Sequence, residues 1–204
     1  MRIAISQRPA LRLLPAFLVL AVSLPFLSAC GFNTIPTAEE KAKAAWSEVL
    51  NQYQRRADLI PNLVETVKAY AAHERETLEA VVEARAKATQ VTVSPETLAD
   101  PQAFEKFQAG QSELTSALSR LLAVVENYPD LKANQNFLAL QAQLEGTENR
   151  IAVARRDYIE AVREYNTTLR TFPSIVWTWI WFDNEPYQTF TVPDDKIEVP
   201  EVKF

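Results

Sequence analysis

A chain of 204 residues with 21 basic and 26 acidic side chains has a net charge of −5 at neutral pH, and such a surface repels nucleic acid phosphates and anionic head groups. Nucleic-acid binding is thereby set aside. The single cysteine, Cys30, excludes an internal disulfide, and three glycines in a chain dominated by Ala, Leu, Glu, Gln, Lys and Arg read as helical.

Residues 1–29 carry Arg2, Arg8 and Arg12 and no acidic residue, followed by an apolar run from Leu13 to Leu27. That is the pattern of a secretory signal. Pro15 and Pro25 interrupt the run, which falls short of the about 20 residues a membrane-spanning helix needs. Leu27-Ser28-Ala29-Cys30 matches the lipobox of bacterial lipoproteins. The expectation is cleavage before Cys30, lipidation of its thiol, and a membrane held through several acyl chains. Removing the three arginines with residues 1–29 lowers the basic count from 21 to 18 against 26 acidic residues, a net charge of −8. The expected location is a cell-envelope membrane, on the periplasmic side. Gly31 rather than aspartate after Cys30 favours the outer membrane where there are two.

Residues 30–36 read as a tether. Thr37-Ala38-Glu39-Glu40 reads as a capping box opening the first helix, with Ala42, Ala45, Trp46, Val49 and Tyr53 on its apolar face. Asp58-Leu59-Ile60-Pro61 reads as an N-cap with proline in the first turn, predicting a chain reversal there. Pro61 could instead kink one continuous helix, but that helix would outrun its partners. The second helix carries Leu63, Val67, Tyr70, Leu78 and Val81 on its seam, with polar exceptions at Glu74 and Arg85, and ends near Gln90. Residues 91–99 connect to a third helix capped by Asp100-Pro101. Its seam is Phe104, Phe107, Gln111, Leu114, Leu118, Leu121, Val125 and Tyr128. Pro129 stops it, and Asp130 starts a fourth that runs to about Thr171. There the seam is Phe137, Leu140, Leu144, Thr147, Ile151, Ala154, Tyr158, Val162, Tyr165 and Leu169, with a stutter near Tyr158. Residues 37–172 are thus expected to form an all-α, antiparallel up-and-down four-helix bundle, with residues 173–204 as a Trp-rich segment and C-terminal extended tail.

Tyr53 to Lys68, His73-Glu74, Glu83 to Ala86, Tyr128 to Phe137, Leu144 to Ile151, Tyr165-Asn166 and Thr171-Phe172-Pro173, in that order, resemble the LemA family. The ending Val202-Lys203-Phe204 resembles the family's end as well. The resemblance implies an antiparallel four-helix bundle on a membrane with no established enzymatic activity, and it favours the turn at Pro61. Two features depart from the family pattern. Many members keep an uncleaved N-terminal transmembrane helix where this chain has a lipobox, and the segment after Pro173 is rich in tryptophan.

Candidate chemistry is sparse. His73 is the only histidine, so neither a two-histidine zinc site nor a di-iron site can be built; no catalytic residue, metal or cofactor is expected. Glu145, Glu148, Asn149, Arg150, Arg155 and Arg156 read as a solvated or helix-pairing face. Arg55, Arg56, Asp58 and Asn62 at the first corner, with Asp130, Lys132, Asn134 and Asn136 at another, form a candidate partner-binding surface facing away from the lipid. Trp177, Trp179, Trp181 and Phe182 follow a period-two pattern near the anchor. They either meet the membrane interface or cap the bundle's open end. Residues 183–204 are either an extended arm laid on the bundle or one that orders on a partner. The function expected is a non-enzymatic, membrane-anchored scaffold or adaptor with an unidentified protein partner. The alternative is a regulatory subunit of an envelope protease or peptidoglycan-related system.

Overall fold

Helix-forming composition and seams spaced by threes and fours require packed helices, and the computed structural model, which describes residues 33–91, 93–180 and 184–190, contains them. In chain order they are α1 Thr34–Tyr70, α2 Arg75–Gln90, α3 Pro101–Val125, α4 Pro129–Lys132, α5 Gln135–Arg170 and α6 Ser174–Ile180, with a 3-10 turn at Pro95–Thr97. Among the described residues there is no strand. The all-α class is as expected; six helices stand among the described residues where four were expected.

The reversal predicted at Asp58–Pro61 does not occur. α1 runs through Pro61 for 37 residues, about 55 Å at 1.5 Å per residue. Proline lacks the N–H that would bond the carbonyl four residues back, so Ala57 loses its intrahelical donor. Arg85 of α2 supplies a replacement, its Nε donating to the Ala57 carbonyl at 2.7 Å. Asp58 is not a cap: it is exposed and accepts from Gln54 Nε2 at 2.8 Å, one turn earlier on the same helix. The chain reverses at Ala71–Glu74 instead, where the Glu74 N–H donates to the Ala71 carbonyl at 3.0 Å. Tyr128 holds this corner from the far side, donating its hydroxyl to Glu74 Oε1 at 2.8 Å.

Other helix ends follow local rules more closely. α1 begins before the expected capping box, and Thr37 Oγ1 donates back to the Asn33 carbonyl at 2.7 Å. Asp100 caps α3 as expected, accepting from the N–H groups of Gln102 and Ala103 at 2.9 and 3.3 Å. The cap of α5 is Asn134 rather than Asp130, accepting from the Phe137 N–H at 3.0 Å, because residues 129–132 form their own turn as α4. Asn134 Nδ2 also donates to the Tyr70 hydroxyl at 2.9 Å, joining the two distal ends.

Ion pairs fix the helix directions. Lys41–Glu164 and Arg56–Glu148 run α1 antiparallel to α5, and Lys87–Glu113 joins α2 to α3 in the same sense. Two cores stack along the long axis. The distal core takes Ile60, Leu63 and Val67 from α1, Val81 from α2, Leu121 from α3 and Leu144 from α5. The base core gathers Trp46, Tyr53, Phe104, Phe107, Tyr158 and Phe190.

The two cores differ because α2, with 16 residues, is only about 24 Å long and reaches no further than the distal half. At the base its place is taken by irregular chain. Val93 and Leu98 are fully buried, and Trp46 Nε1 donates to the Val93 carbonyl at 2.8 Å. Residues 184–190, in neither helix nor strand, lie across the same side. Asn166 brackets Tyr187, donating to its carbonyl at 3.0 Å and accepting from its N–H at 2.9 Å. Gln188 donates its N–H to the Leu98 carbonyl at 3.0 Å and accepts from the Tyr158 hydroxyl at 2.8 Å. Of the two alternatives for the tail, this stretch is laid on the bundle; residues 191–204 lie outside the described residues.

Candidate functional site

Three residues after Tyr53 and four before Ile60, Arg56 falls on the buried face of α1. A guanidinium there must find its partners inside the protein. It is 1% exposed. Its Nη1 donates to Glu148 Oε1 at 2.9 Å and to Thr115 Oγ1 at 3.1 Å, and its Nη2 donates to Gln111 Oε1 at 2.6 Å. Gln111 passes the connection on, its Nε2 donating to the Ala88 carbonyl at 3.2 Å. One cation thus ties α1, α2, α3 and α5 together. The polar member of the α3 seam, Gln111, is polar because Arg56 faces it.

Beside this network a cleft of about 280 Å³ opens between α3 and α5, whose backbones approach each other less closely than those of α1 and α5. Gln108, Ser112 and Ser116 line one wall and Arg155 the other, with Phe190 at the edge. The Arg155 guanidinium stands 4.3 Å from the centre of the Phe190 ring, and that of Arg56 lies 5.0 Å from the ring of Tyr53. Burial raises the Tyr53 hydroxyl above its ordinary pKa, while the charges of Arg155 and Arg56 pull against that shift.

The two expected corners do not come together. Arg55, Arg56, Asp58 and Asn62 lie within α1, about 12 to 22 Å along the axis from its distal end at Tyr70, which adjoins the turn that holds Asp130, Lys132, Asn134 and Asn136. Arg55, Asp58 and Asn62 are exposed, whereas Arg56 is the buried hub. Lys132 pairs with Glu126 at 2.5 Å, and Asp130 and Asn136 are exposed. His73 is exposed on the Ala71–Glu74 turn. Among the described residues no three His, Cys, Asp or Glu side chains could hold a metal ion together.

The tryptophan segment is helical rather than period-two. Residues two apart on a helix point about 200° apart, so Trp177 and Trp179 face opposite ways. Trp177 packs on the base core and Trp179 is 88% exposed. Ile175, Val176, Trp179 and Ile180 are exposed at the 1-3-1 spacing of one face of α6, and Phe172, in the turn just before it, is exposed as well. That spacing was present in the sequence and is seen only when the segment is read at a period of 3.6. Cys30, Trp181 and Phe182 lie outside the described residues. The face sits at the end of the molecule where α1 begins, since α6 follows α5 and Glu164 of α5 pairs with Lys41. No helix among the described residues is long and apolar enough to cross a membrane.

Comparison with known proteins places these features in a lineage. The magnetosome proteins MamQ 1 and MamQ 2 of Paramagnetospirillum magneticum (strain ATCC 700264 / AMB-1) are each 26% identical to this chain over 167 residues, which is 74% of this chain and 60% of theirs. Magnetosome protein MamQ of Magnetospirillum gryphiswaldense is 25% identical over 181 residues, 78% of this chain and 66% of that protein. The chain therefore spans less than two thirds of the length of these relatives. The model of the LemA family matches residues 45–204, from the twelfth residue of α1 through the 184–190 segment and onward. The chain belongs to the LemA family.

Proposed function

We propose that this protein is a non-enzymatic, membrane-associated component of the cell envelope, an antiparallel helical bundle that acts as a scaffold or adaptor. It is anchored by lipid on Cys30, on the side of the membrane away from the cytoplasm. The observation that carries the reading is the exposed apolar face of Ile175, Val176, Trp179 and Ile180, with Phe172 in the turn before it, beside the start of α1. Three residues separate Cys30 from Thr34, a reach of about 10 Å, so the same lipid surface is within range of that face. Aromatic and aliphatic side chains on a short helix suit the head-group boundary, where lipidation and apolar contact act together. The relatives' names specify a structure, the magnetosome, and no reaction, which supports a scaffold over an enzyme. Partner recognition is assigned to the distal turn with Asp130, Lys132, Asn134 and Asn136, and to the exposed Arg55, Asp58 and Asn62 along α1.

Vesicle flotation tests the membrane face. A chain beginning at Gly31, which carries neither the apolar run of residues 13–27 nor the lipid, is expected to float with neutral phosphatidylcholine vesicles. Replacing Ile175 and Trp179 together by serine is expected to weaken partitioning about a hundredfold, from about 1.5 kcal/mol for each large apolar side chain withdrawn. Unchanged flotation of the double variant would remove α6 from the membrane contact.

A further inference from the structure

The cleft between α3 and α5 carries an unbalanced charge. Arg56 is neutralised by Glu148 at 2.9 Å, whereas Arg155 makes no ion pair with any described residue. The cleft is therefore positive by one charge, in a chain whose net charge is −5. By contrast, the groove lined by Lys68, Arg75, Glu79 and Glu83 is balanced, and so is the one lined by Lys41 and Glu164.

Arg155 is also held in position. Its guanidinium stacks on Phe190 at 4.3 Å and is a hydrogen-bonding neighbour of the Tyr53 hydroxyl, which leaves the rest of its five in-plane N–H donors for a further partner. Arg56 also lines the cleft, and its Nε is buried without a hydrogen-bond partner. Neutral groups line the opposite wall, from Gln108, Ser112 and Ser116. A volume of about 280 Å³ suits a small acid or one acidic side chain rather than a large ligand. Charge selects among anions. One excess positive charge matches a carboxylate, whose two oxygens fit the arginine fork. A phosphate monoester, at about −1.5 to −2, would exceed that charge and face Glu148.

We propose that this cleft is a carboxylate-binding site, with Arg155 as the counter-ion and Gln108 and Ser112 as neutral donors. Two sources can supply the carboxylate. One is an acidic peptide or small acid from outside. The other is the chain itself, since Phe190 at the cleft edge is followed within residues 191–204 by Asp194, Asp195, Glu198 and Glu201. The site does not depend on the membrane reading above.

The test is a titration of the ¹⁵N-labelled full-length chain with acetylglycine at constant ionic strength, following the Arg155 Nε–H signal. That signal is assigned by its loss in Arg155→Gln. Saturable shifts are expected, and in Arg155→Gln the shifts of the Ser112 and Ser116 amides should report affinity at least about tenfold weaker, the scale of one charge-assisted hydrogen bond. Ser112→Ala, a surface change that leaves the ion pairs intact, should weaken binding to a smaller extent. A full-length variant with Asp194→Asn, Asp195→Asn, Glu198→Gln and Glu201→Gln separates the sources. Binding only in that variant identifies the chain's own acidic residues as the occupant, and equal binding in both assigns the occupant to the outside. No saturation in either, equal shifts with sodium chloride, or tighter binding of inorganic phosphate would overturn the proposal.

Discussion

Arg56 and Glu148 share one ion pair but occupy different surroundings. The Arg56 side chain is 2% exposed and that of Glu148 is 41% exposed, so the two ends of the pair are not equivalent in energy. Removing the carboxylate leaves a buried cation with only neutral acceptors, Gln111 and Thr115. Removing the cation leaves a carboxylate that water already reaches. Glu148→Ala is therefore expected to cost about 3–5 kcal/mol, and Arg56→Met, which keeps the side-chain bulk, about 1–3 kcal/mol. Urea unfolding of both variants checks the order. Equal losses would mean that the network acts by packing alone. The position of Arg56 was itself available from the sequence. Continuing the α1 seam from Tyr53 by three, four, three and four residues gives Arg56, Ile60, Leu63 and Val67, straight through Pro61 and onto one arginine.

At the level of the helix, Pro61 and Arg85 form a single unit. Proline strips Ala57 of its donor, and Arg85 of α2 replaces it at 2.7 Å. Arg85→Met should cost about 1–3 kcal/mol in the natural chain, where it leaves the Ala57 carbonyl unpaired. In a Pro61→Ala background the backbone N–H returns, and the same change should cost less than about 0.5 kcal/mol. A double-mutant cycle by urea unfolding measures the coupling; additive losses would sever the two residues. The same pair shows where the sequence was readable. The α3 and α5 seams and the Asp100 cap depend on neighbours within a turn or two, and the helices follow them. Pro61 misled because its compensation comes from another helix. The reversal at Ala71–Glu74 has no glycine or proline to announce it, so nothing local marks α1's end. The corner expected from Asp58 vanished with that turn, and the Arg56 cluster joined residues from four helices that no local window spans.

Across the whole molecule, the base core is rich in tyrosine. Tyr53, Tyr158, Tyr165 and Tyr187 are all raised above the ordinary value of 10.0, chiefly by burial. A raised folded pKa keeps these phenols neutral in the fold, while the unfolded chain releases their protons near pH 10. Stability from this source is complete below that pH and declines as pH rises through it, because the unfolded state then binds fewer protons. Thermal midpoints should stay level up to about pH 10 and then fall steeply, and Tyr158→Phe should flatten the fall. An unchanged slope in that variant would exclude Tyr158 as a contributor. The asymmetry between the cores reaches further, to the order in which the chain is made. The distal core is complete once Leu144 is present, whereas the base core needs both Ile35 and Phe190. A chain produced from its N-terminus can therefore seal its outer half while the inner half still waits for its last aromatic ring. Shortening the protein from the C-terminal side would leave Trp46 and Phe104 without their closing partner while the distal core kept all of its members.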